Sequence, residues 1–506
     1  MPQKYLNKIL RAPVYEVADE TPLEFAPRLS KKLGNHVQLK REDLQQVFSF
    51  KLRGAYNKLV HLPEKQRSKG VIAASAGNHA QGVALSAQRL GIPATIVMPT
   101  TTPPIKVDAV VAYGAKAMLF GDSYDEACAH AVELAEKKKL TFIHPFDDVD
   151  VIAGQGTVGM EILRQHAAPI HSLFVPVGGG GLIAGVAAYV KAICPHTRII
   201  GVEPEDTPTL QRAMKAGRRV TLKQVGLFAD GVAVRQIGKE TFHVARQLVD
   251  EVVLVTTDEI CAAIKDIFED TRSIAEPAGA LAVAGMKRYV SENQVSGEKL
   301  VGIVSGANMN FDRLRNVAER AEIGEQREAL IAVHIPEIPG SFLKFCSLLK
   351  KRSITEFNYR YADESDAYVF CGIELGHGDE ERRQLLQLLT ESGYTATDLT
   401  DNETAKLHIR YMVGGHAPQV MHEKLFRFQF PERPRALLDF LAQVGTRWNI
   451  SLFHYRNHGA AYGRVLIGIQ LKSNKEKKAF MASMDELGYR YWDESDNPAY
   501  HIFASP

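Results

Sequence analysis

VPVGGGGLIAGVAAYV, residues 175–190, is the longest membrane-like run in the chain, and its reading decides the fold. A bilayer span needs about 20 apolar residues. This run has 16, is broken by Gly178–Gly181 and ends at Lys191. It therefore reads as a buried strand, a glycine turn and a helix. The same alternation extends outward to about residue 320. Short β-branched runs, VIAAS (71–75), ATIVMP (94–99), AMLF (117–120), SLFVPV (172–177), RIIGVEP (198–204) and LVGIVSG (300–306), alternate with helical stretches at 79–91, 123–139 and 257–272. Asp122 or Ser123 is positioned to cap the second helix, and Thr257, with Asp258 and Glu259, the third. Strand followed by helix, repeated, predicts open parallel sheets covered by helices, an α/β class in which strand C-termini form the ligand edge.

The totals restrict function to local sites. At 506 residues there is room for roughly three domains. The apolar share of 45% and charged share of 24% are ordinary for a globular chain, and a net charge of +2 offers no global field for nucleic acid or anionic lipid. Five scattered cysteines without a C-x-x-C pair indicate neither a disulfide framework nor a structural zinc site. They suit a reducing, cytoplasmic setting, and MPQKYLNKILRAPVYEV lacks the continuous apolar core of a secretory signal.

Near AEIGEQREA (321–329) the character changes to shorter alternating segments that repeat. AVHIPEIPGSFLKFCSLL (332–349) is echoed by RFQFPERPRALLDFLAQV (427–444), FNYR (357–360) by FHYR (453–456), FCGIEL (370–375) by LIGIQL (466–471), and ESGY (391–394) by ELGY (486–489). A near-constant offset of 95 or 96 residues implies a duplicated unit. Each copy reads strand, helix, strand, strand, helix, strand, the ferredoxin-like order. The expected boundaries are 1–320, with a smaller subdomain at about 45–150, a linker at 321–328, and repeats at 329–415 and 421–506.

Four motifs carry candidate chemistry. SFKLRGA (49–55) sets Lys51 between Phe50 and a small-residue turn. A surface lysine is its ordinary reading; an amine held to react with a carbonyl is the other. VIAASAGNHAQG (71–82) ends a strand in a turn of Ser75, Ala76, Gly77, Asn78 and His79 at a helix start, where N–H groups suit a carboxylate or phosphate. The glycine run is a stronger anion site, since residues without Cβ let the chain wrap a phosphate. No Lys-Ser or Lys-Thr follows it, so it is not a P-loop. A dinucleotide reading stays open at this point, because Gly179, Gly181 and Ala184 fit G-x-G-x-x-A and Glu203 ends the next strand. In LVGIVSGANMN (300–310) the strand stops at Ser305, a turn cap or a partner for a ring nitrogen.

Taken together, SFKLRGA, SAGNHAQG, PVGGGGLIAG, EPAGA (276–280) and SGANMNF (305–311) resemble the fold-type II pyridoxal-phosphate enzymes. More narrowly the chain resembles the threonine/serine dehydratases, and its duplicated, ACT-like C-terminal region is similar to that of the long biosynthetic threonine deaminases. The resemblance implies two open parallel-sheet α/β subdomains of the tryptophan-synthase β type, followed by two ferredoxin-like α+β subdomains. It implies that Lys51 binds the aldehyde of pyridoxal 5'-phosphate with Phe50 against the ring. Gly178, Gly179, Gly180, Gly181 and the Leu182 amide would hold the phosphate, Asn78 the ring hydroxyl oxygen and Ser305 the pyridine nitrogen. The Ser75–His79 turn would take the substrate carboxylate.

The reaction implied is removal of the α-proton of L-threonine by Lys51, loss of the β-hydroxyl as water, and release of 2-oxobutanoate and ammonia. Serine is a second expected substrate, isoleucine the expected inhibitor and valine its opponent at the C-terminal region, and the expected assembly is a homotetramer. Glu276 either shapes the ring environment or is an ordinary helix-start glutamate. Pro339, Phe357, Pro434 and Phe453 read equally well as core or turn positions of the repeat. Serine racemase and a serine-preferring dehydratase share the cofactor residues but not the C-terminal duplication, and a β-replacement enzyme is a further alternative that SFKLRGA fits less well than the dehydratases. A nonenzymatic amino-acid sensor is the reading from another class.

Overall fold

The computed structural model describes all residues except 1, 122, 167, 312, 350–351, 361–365, 408, 412–416, 432–435, 445–446, 457–461 and 498–506. Asp122 and Pro434, considered above as a cap and a core or turn residue, lie outside the described residues. The chain divides into two compact units, Met1–Gly324 and Glu325–Pro506.

In the first unit the strands are Leu23–Phe25 (β1), His36–Arg41 (β2), Val71–Ala74 (β3), Ala94–Met98 (β4), Lys116–Leu119 (β5), Thr141–Phe142 (β6), Ser172–Pro176 (β7), Arg198–Pro204 (β8), Glu251–Val255 (β9) and Lys299–Val304 (β10). They form a six-stranded sheet, β1-β2-β10-β7-β8-β9, and a four-stranded sheet, β5-β4-β3-β6. Only β1 runs antiparallel to its neighbour. Helices bury both faces of each sheet, which is why β3 and β7 are continuous apolar runs rather than alternating ones.

The helix Tyr124–Lys138 starts on a capping box of Ser123 and Glu126. For the helix Thr257–Thr271 the cap is Thr256, one residue before the expected Thr257, because Thr256 has the extended backbone that lets its hydroxyl accept from the Glu259 amide. Residues 321–324, read from sequence as linker, are the last turn of the helix Arg313–Gly324. Its inner residues Val317, Arg320, Ala321 and Ile323 are buried, and such a stripe keeps a helix continuous where composition alone suggests a break.

Glycines set the spacing of three helices. A Cβ on Gly154 would meet Gly54 Cα at 2.7 Å, and a Cβ on Gly185 would meet the Gly156 amide nitrogen at 2.6 Å. The helices Lys51–Val60, Val149–Gln165 and Gly181–Ile193 thus pack backbone to backbone. This brings the starts of the first and third, Lys51 and Gly181, toward one another. Gly185→Ala is expected to cost about 1–3 kcal/mol, from overpacking against unyielding main chain, visible as a lower unfolding midpoint.

The second unit contains Glu328–Pro336 (β11), Ile354–Arg360 (β12), Asp366–Glu374 (β13), Thr395–Asp398 (β14), Glu423–Pro431 (β15), Asn449–Arg456 (β16), Tyr462–Gln470 (β17) and Arg490–Asp493 (β18). With helices after β11, β13, β15 and β17, each repeat has the ferredoxin-like order. The repeats join edge to edge, β12 against β16, in one antiparallel sheet, β14-β11-β13-β12-β16-β17-β15-β18. Phe357 and Phe453 meet across that joint with ring centroids 5.2 Å apart, inside a single apolar core. Among the described residues no helix is long and apolar enough to cross a membrane.

Candidate functional site

Three strand ends in the first unit carry the sequence-predicted residues. Beyond β7, the amides of Gly178 to Leu182 have no acceptor among the described hydrogen bonds, and the helix Gly181–Ile193 begins there. Open N–H groups at the positive end of a helix fit a phosphate. Beyond β3, the amides of Ala76, Asn78 and His79 are likewise open, whereas that of Gly77 is taken by Ser75 Oγ at 3.2 Å. This second cradle has the form a carboxylate needs. Beyond β10 stands Ser305, buried, its hydroxyl 3.4 Å from the Ala278 carbonyl.

The glycines themselves answer mainly to the protein. A Cβ on Gly178 would lie 2.9 Å from Val232 Cα, one on Gly179 would collide with the Phe146 ring, and one on Gly181 would sit 3.0 Å from Phe146 Cβ. Gly180 has φ +91, which a side chain resists. Absence of Cβ therefore serves close packing and a left-handed turn, and the anion site rests on the free amides. Thr241 secures the turn by donating to the Gly179 carbonyl at 2.7 Å.

Lys51 opens its helix beside this turn. Its Nζ donates to the Pro145 carbonyl at 3.3 Å, and the adjacent Phe146 covers the glycines, so one short segment touches both the amine and the anion cradle. The Phe50 ring lies 5.2 Å from Nζ and packs on the apolar cluster around Val177, Leu182 and Ile303. Desolvation, partly offset by the Glu276 charge, brings the Lys51 pKa down to about 8.

Behind the lysine, Arg53 is wholly buried between two carboxylates. It donates to Glu42 twice at 2.8 Å and to Glu161 at 2.5 and 3.0 Å, while Lys40 reaches Glu161 at 2.5 Å. Two cations and two anions balance, and Thr21, Thr157 and main-chain carbonyls complete the set. Such a network fixes the helix that carries Lys51.

Asn78 and Gly306, the residue after Ser305, converge on Glu276. The Asn78 side chain donates to the Glu276 carboxylate at 2.6 Å, and a Cβ on Gly306 would lie 2.6 Å from the same oxygen and 3.3 Å from the Asn78 nitrogen. Desolvation, with the Asp230 charge, pushes the Glu276 pKa up to about 7. Glu276 stands at the N-cap of the helix Pro277–Asn293 but makes no side-chain cap bond, so it is not an ordinary helix-start glutamate. His79 is held by one ring nitrogen: its Nε2 donates to the Ile143 carbonyl at 3.0 Å, and desolvation and the Lys51 charge push its pKa down to about 3. Its backbone amide is open to a ligand.

The dinucleotide reading ends at Glu203. Its carboxylate is buried and accepts from Thr209 Oγ1 at 2.9 Å, the Leu210 amide at 2.7 Å and the Gln211 amide at 3.0 Å, at the start of the helix Thr209–Ala216. Nothing of it is left for a ribose. Sequence reasoning missed Phe146, Thr241 and Val232, which come from loops and a helix remote in sequence from the glycines they hold; only contact reveals them.

Residues 15–306, which hold the amine of lowered pKa and both amide cradles, match a family described as pyridoxal-phosphate dependent enzyme. Residues 319–409 and 414–503 each match the C-terminal regulatory domain of threonine dehydratase. The chain is 56% identical to the L-threonine dehydratase biosynthetic IlvA of Burkholderia multivorans, over 99% of both chains. It is 54% identical to that of Escherichia coli, over 99% of this chain and 97% of the other. The processed form of threonine deaminase isoform 2 from Solanum lycopersicum superposes with a TM-score of 0.63 at 53% identity, covering 64% of this chain and 88% of that one. The chain belongs to the pyridoxal-phosphate dependent enzymes and, within them, to the biosynthetic threonine dehydratase family.

Proposed function

We propose that this chain deaminates L-threonine to 2-oxobutanoate and ammonia, as the first step of isoleucine synthesis, with L-serine as a second substrate. The observation that carries the reading is that the Pro145 carbonyl accepts from Lys51 Nζ while the adjacent Phe146 packs on Gly179 and Gly181 of the turn whose amides are open. Pyridoxal phosphate, when bound through its aldehyde, supplies an electron sink for negative charge at the substrate Cα.

The protein's own groups do the rest. Lys51, with its pKa near 8, has a substantial neutral fraction at mildly alkaline pH, so Nζ serves first as the amine that binds the aldehyde and then as the base that takes the Cα proton. The five open amides of Gly178 to Leu182 would hold the phosphate. The amides of Ala76, Asn78 and His79, with the Ser75 hydroxyl at the turn, orient the substrate carboxylate. Asn78 would take the ring hydroxyl oxygen, Phe50 would lie against the ring, and Ser305 would take the ring nitrogen. A neutral hydroxyl at that nitrogen does not keep it protonated as an aspartate would, which favours elimination over transamination. Departure of the β-hydroxyl as water and hydrolysis then give the keto acid and ammonia.

In the second unit, Gly340 and Phe342 of the first repeat and Leu441, Val444, Trp448 and Asn449 of the second line one small pocket. The match of both repeats to the C-terminal regulatory domain of threonine dehydratase supports isoleucine as inhibitor and valine as its opponent in this unit. A coupling of about 1–3 kcal/mol suffices for feedback. A homotetramer is the proposed assembly, and the five free cysteines accord with a cytoplasmic location. Turnover of threonine and serine with and without isoleucine tests the reading. Keto acid should form, and isoleucine should depress the rate at low threonine; an active enzyme whose saturation curve ignores isoleucine would refute the regulatory half.

A further inference from the structure

Asn308 links the segments that the site depends on. Its Nδ2 donates to the Val47 carbonyl at 2.8 Å, four residues before Lys51, and to Asn78 Oδ1 at 2.6 Å. Asn78 Nδ2 in turn donates to Glu276 at 2.6 Å. The polarity of this chain is not arbitrary, because a main-chain carbonyl can only accept. The Val47 carbonyl fixes which end of the Asn308 amide faces inward, the Asn308 donor fixes Asn78 Oδ1 toward it, and the Asn78 nitrogen is thereby turned to Glu276. One Asn78 N–H is spent on the carboxylate. The second is the donor left over.

We propose that Asn308 is a positioning residue of the reaction: it sets the orientation of the Asn78 amide, so that the spare Nδ2–H, and not Oδ1, is presented to the cofactor's ring oxygen. This rests on the assignment of Asn78 to that oxygen. Without Asn308 only Glu276 orients the amide, and because burial raises that carboxyl to about 7 it can carry a proton and donate to Oδ1 instead, so the turned-over amide becomes accessible, with a carbonyl oxygen facing the ring oxygen where the N–H attracted. Main-chain bonds already hold the neighbourhood, Ala307 N to the Phe48 carbonyl at 2.9 Å and Glu276 N to the Gly306 carbonyl at 3.0 Å, so the fold does not require the side chain.

The test compares full-length Asn308→Ala, Asn308→Asp and Asn78→Ala with the parent, by cofactor affinity on titrating the apo chain, the visible absorbance maximum of the loaded chain, the apo unfolding midpoint, and kcat against KM for threonine. Asn308→Asp keeps the volume but faces the Val47 carbonyl with an acceptor, so it should behave at least as badly as the alanine. Both are expected to weaken cofactor affinity about ten-fold, the factor a single lost hydrogen bond produces, to shift the absorbance maximum in the direction Asn78→Ala shifts it, and to lower kcat more than they change KM. A lower midpoint with parental absorbance and affinity would reduce Asn308 to a structural role and overturn the proposal. If Asn78→Ala shifts the spectrum and neither Asn308 variant does, the proposal also falls while the Asn78 assignment stands. If Asn78→Ala itself leaves the spectrum unchanged, the assignment of Asn78 fails, and the proposal with it. Should Asn308→Ala not fold, the near-isosteric aspartate variant decides by the same readouts.

Discussion

Lys51→Ala abolishes both the visible absorbance of the cofactor-loaded chain and threonine turnover. Loss of a positioned base alone costs about 10²–10⁴-fold, and here the same amine also binds the cofactor, so the residual rate should fall below that range. Loading carries its own pH signature. The reacting form is the neutral amine, so in the parent chain the rate at which the apo form takes up the cofactor should rise with pH and level off above about 8, the value to which burial brings Lys51. Stopped-flow absorbance over pH 6–9.5 reads this directly. A rate that declines through that interval would mean another group is the nucleophile.

Arg53→Ala produces the largest loss of stability expected of any substitution near the site. Removing the guanidinium leaves Glu42 and Glu161 buried with only Lys40 to balance them, and breaking a buried ion pair typically costs about 3–5 kcal/mol. The pH dependence should invert as well. In the parent, pairing with Arg53 holds the Glu42 carboxyl below its ordinary value, so its contribution is present above the unfolded pKa of about 4.3 and is lost as pH falls. Without Arg53, burial raises the Glu42 pKa above the unfolded value. The penalty then grows as pH rises through about 4.3, and the gap between variant and parent widens toward neutrality. Denaturant midpoints at pH 4.5 and 7.5 distinguish the two. A gap that is no larger at the higher pH would mean that the network is not electrostatic in effect.

Much of the site could be read in the chain because each cradle is a local event. A continuous apolar strand that stops at small residues and runs into a helix needs no distant information, and β3, β7 and β10 end within two residues of where the runs end. The duplication was readable for a similar reason, since two copies report one another. What escaped is nonlocal. HVQLKR, now β2, holds the buried Lys40, whose charge is balanced only when Glu161, 121 residues away, is brought to it. The helix Val149–Gln165 contains Gly154, Gly156 and Gly159, which speak against a helix in isolation and are explained only by the Arg53–Gly54 backbone, Ile9 and Val186 pressed against them. Phe146 lies 95 residues beyond Lys51 and nothing in its own neighbourhood marks it.

The most direct measurement is borohydride reduction of the cofactor-loaded chain, followed by proteolysis and mass spectrometry of the labelled peptide. Reduction makes a carbon–nitrogen link to pyridoxal phosphate permanent, so the expected product is one pyridoxyl group, on Lys51 and nowhere else. A pyridoxyl group on a different lysine, or a loaded chain that takes up none, would contradict the assignment of this amine as the reactive one.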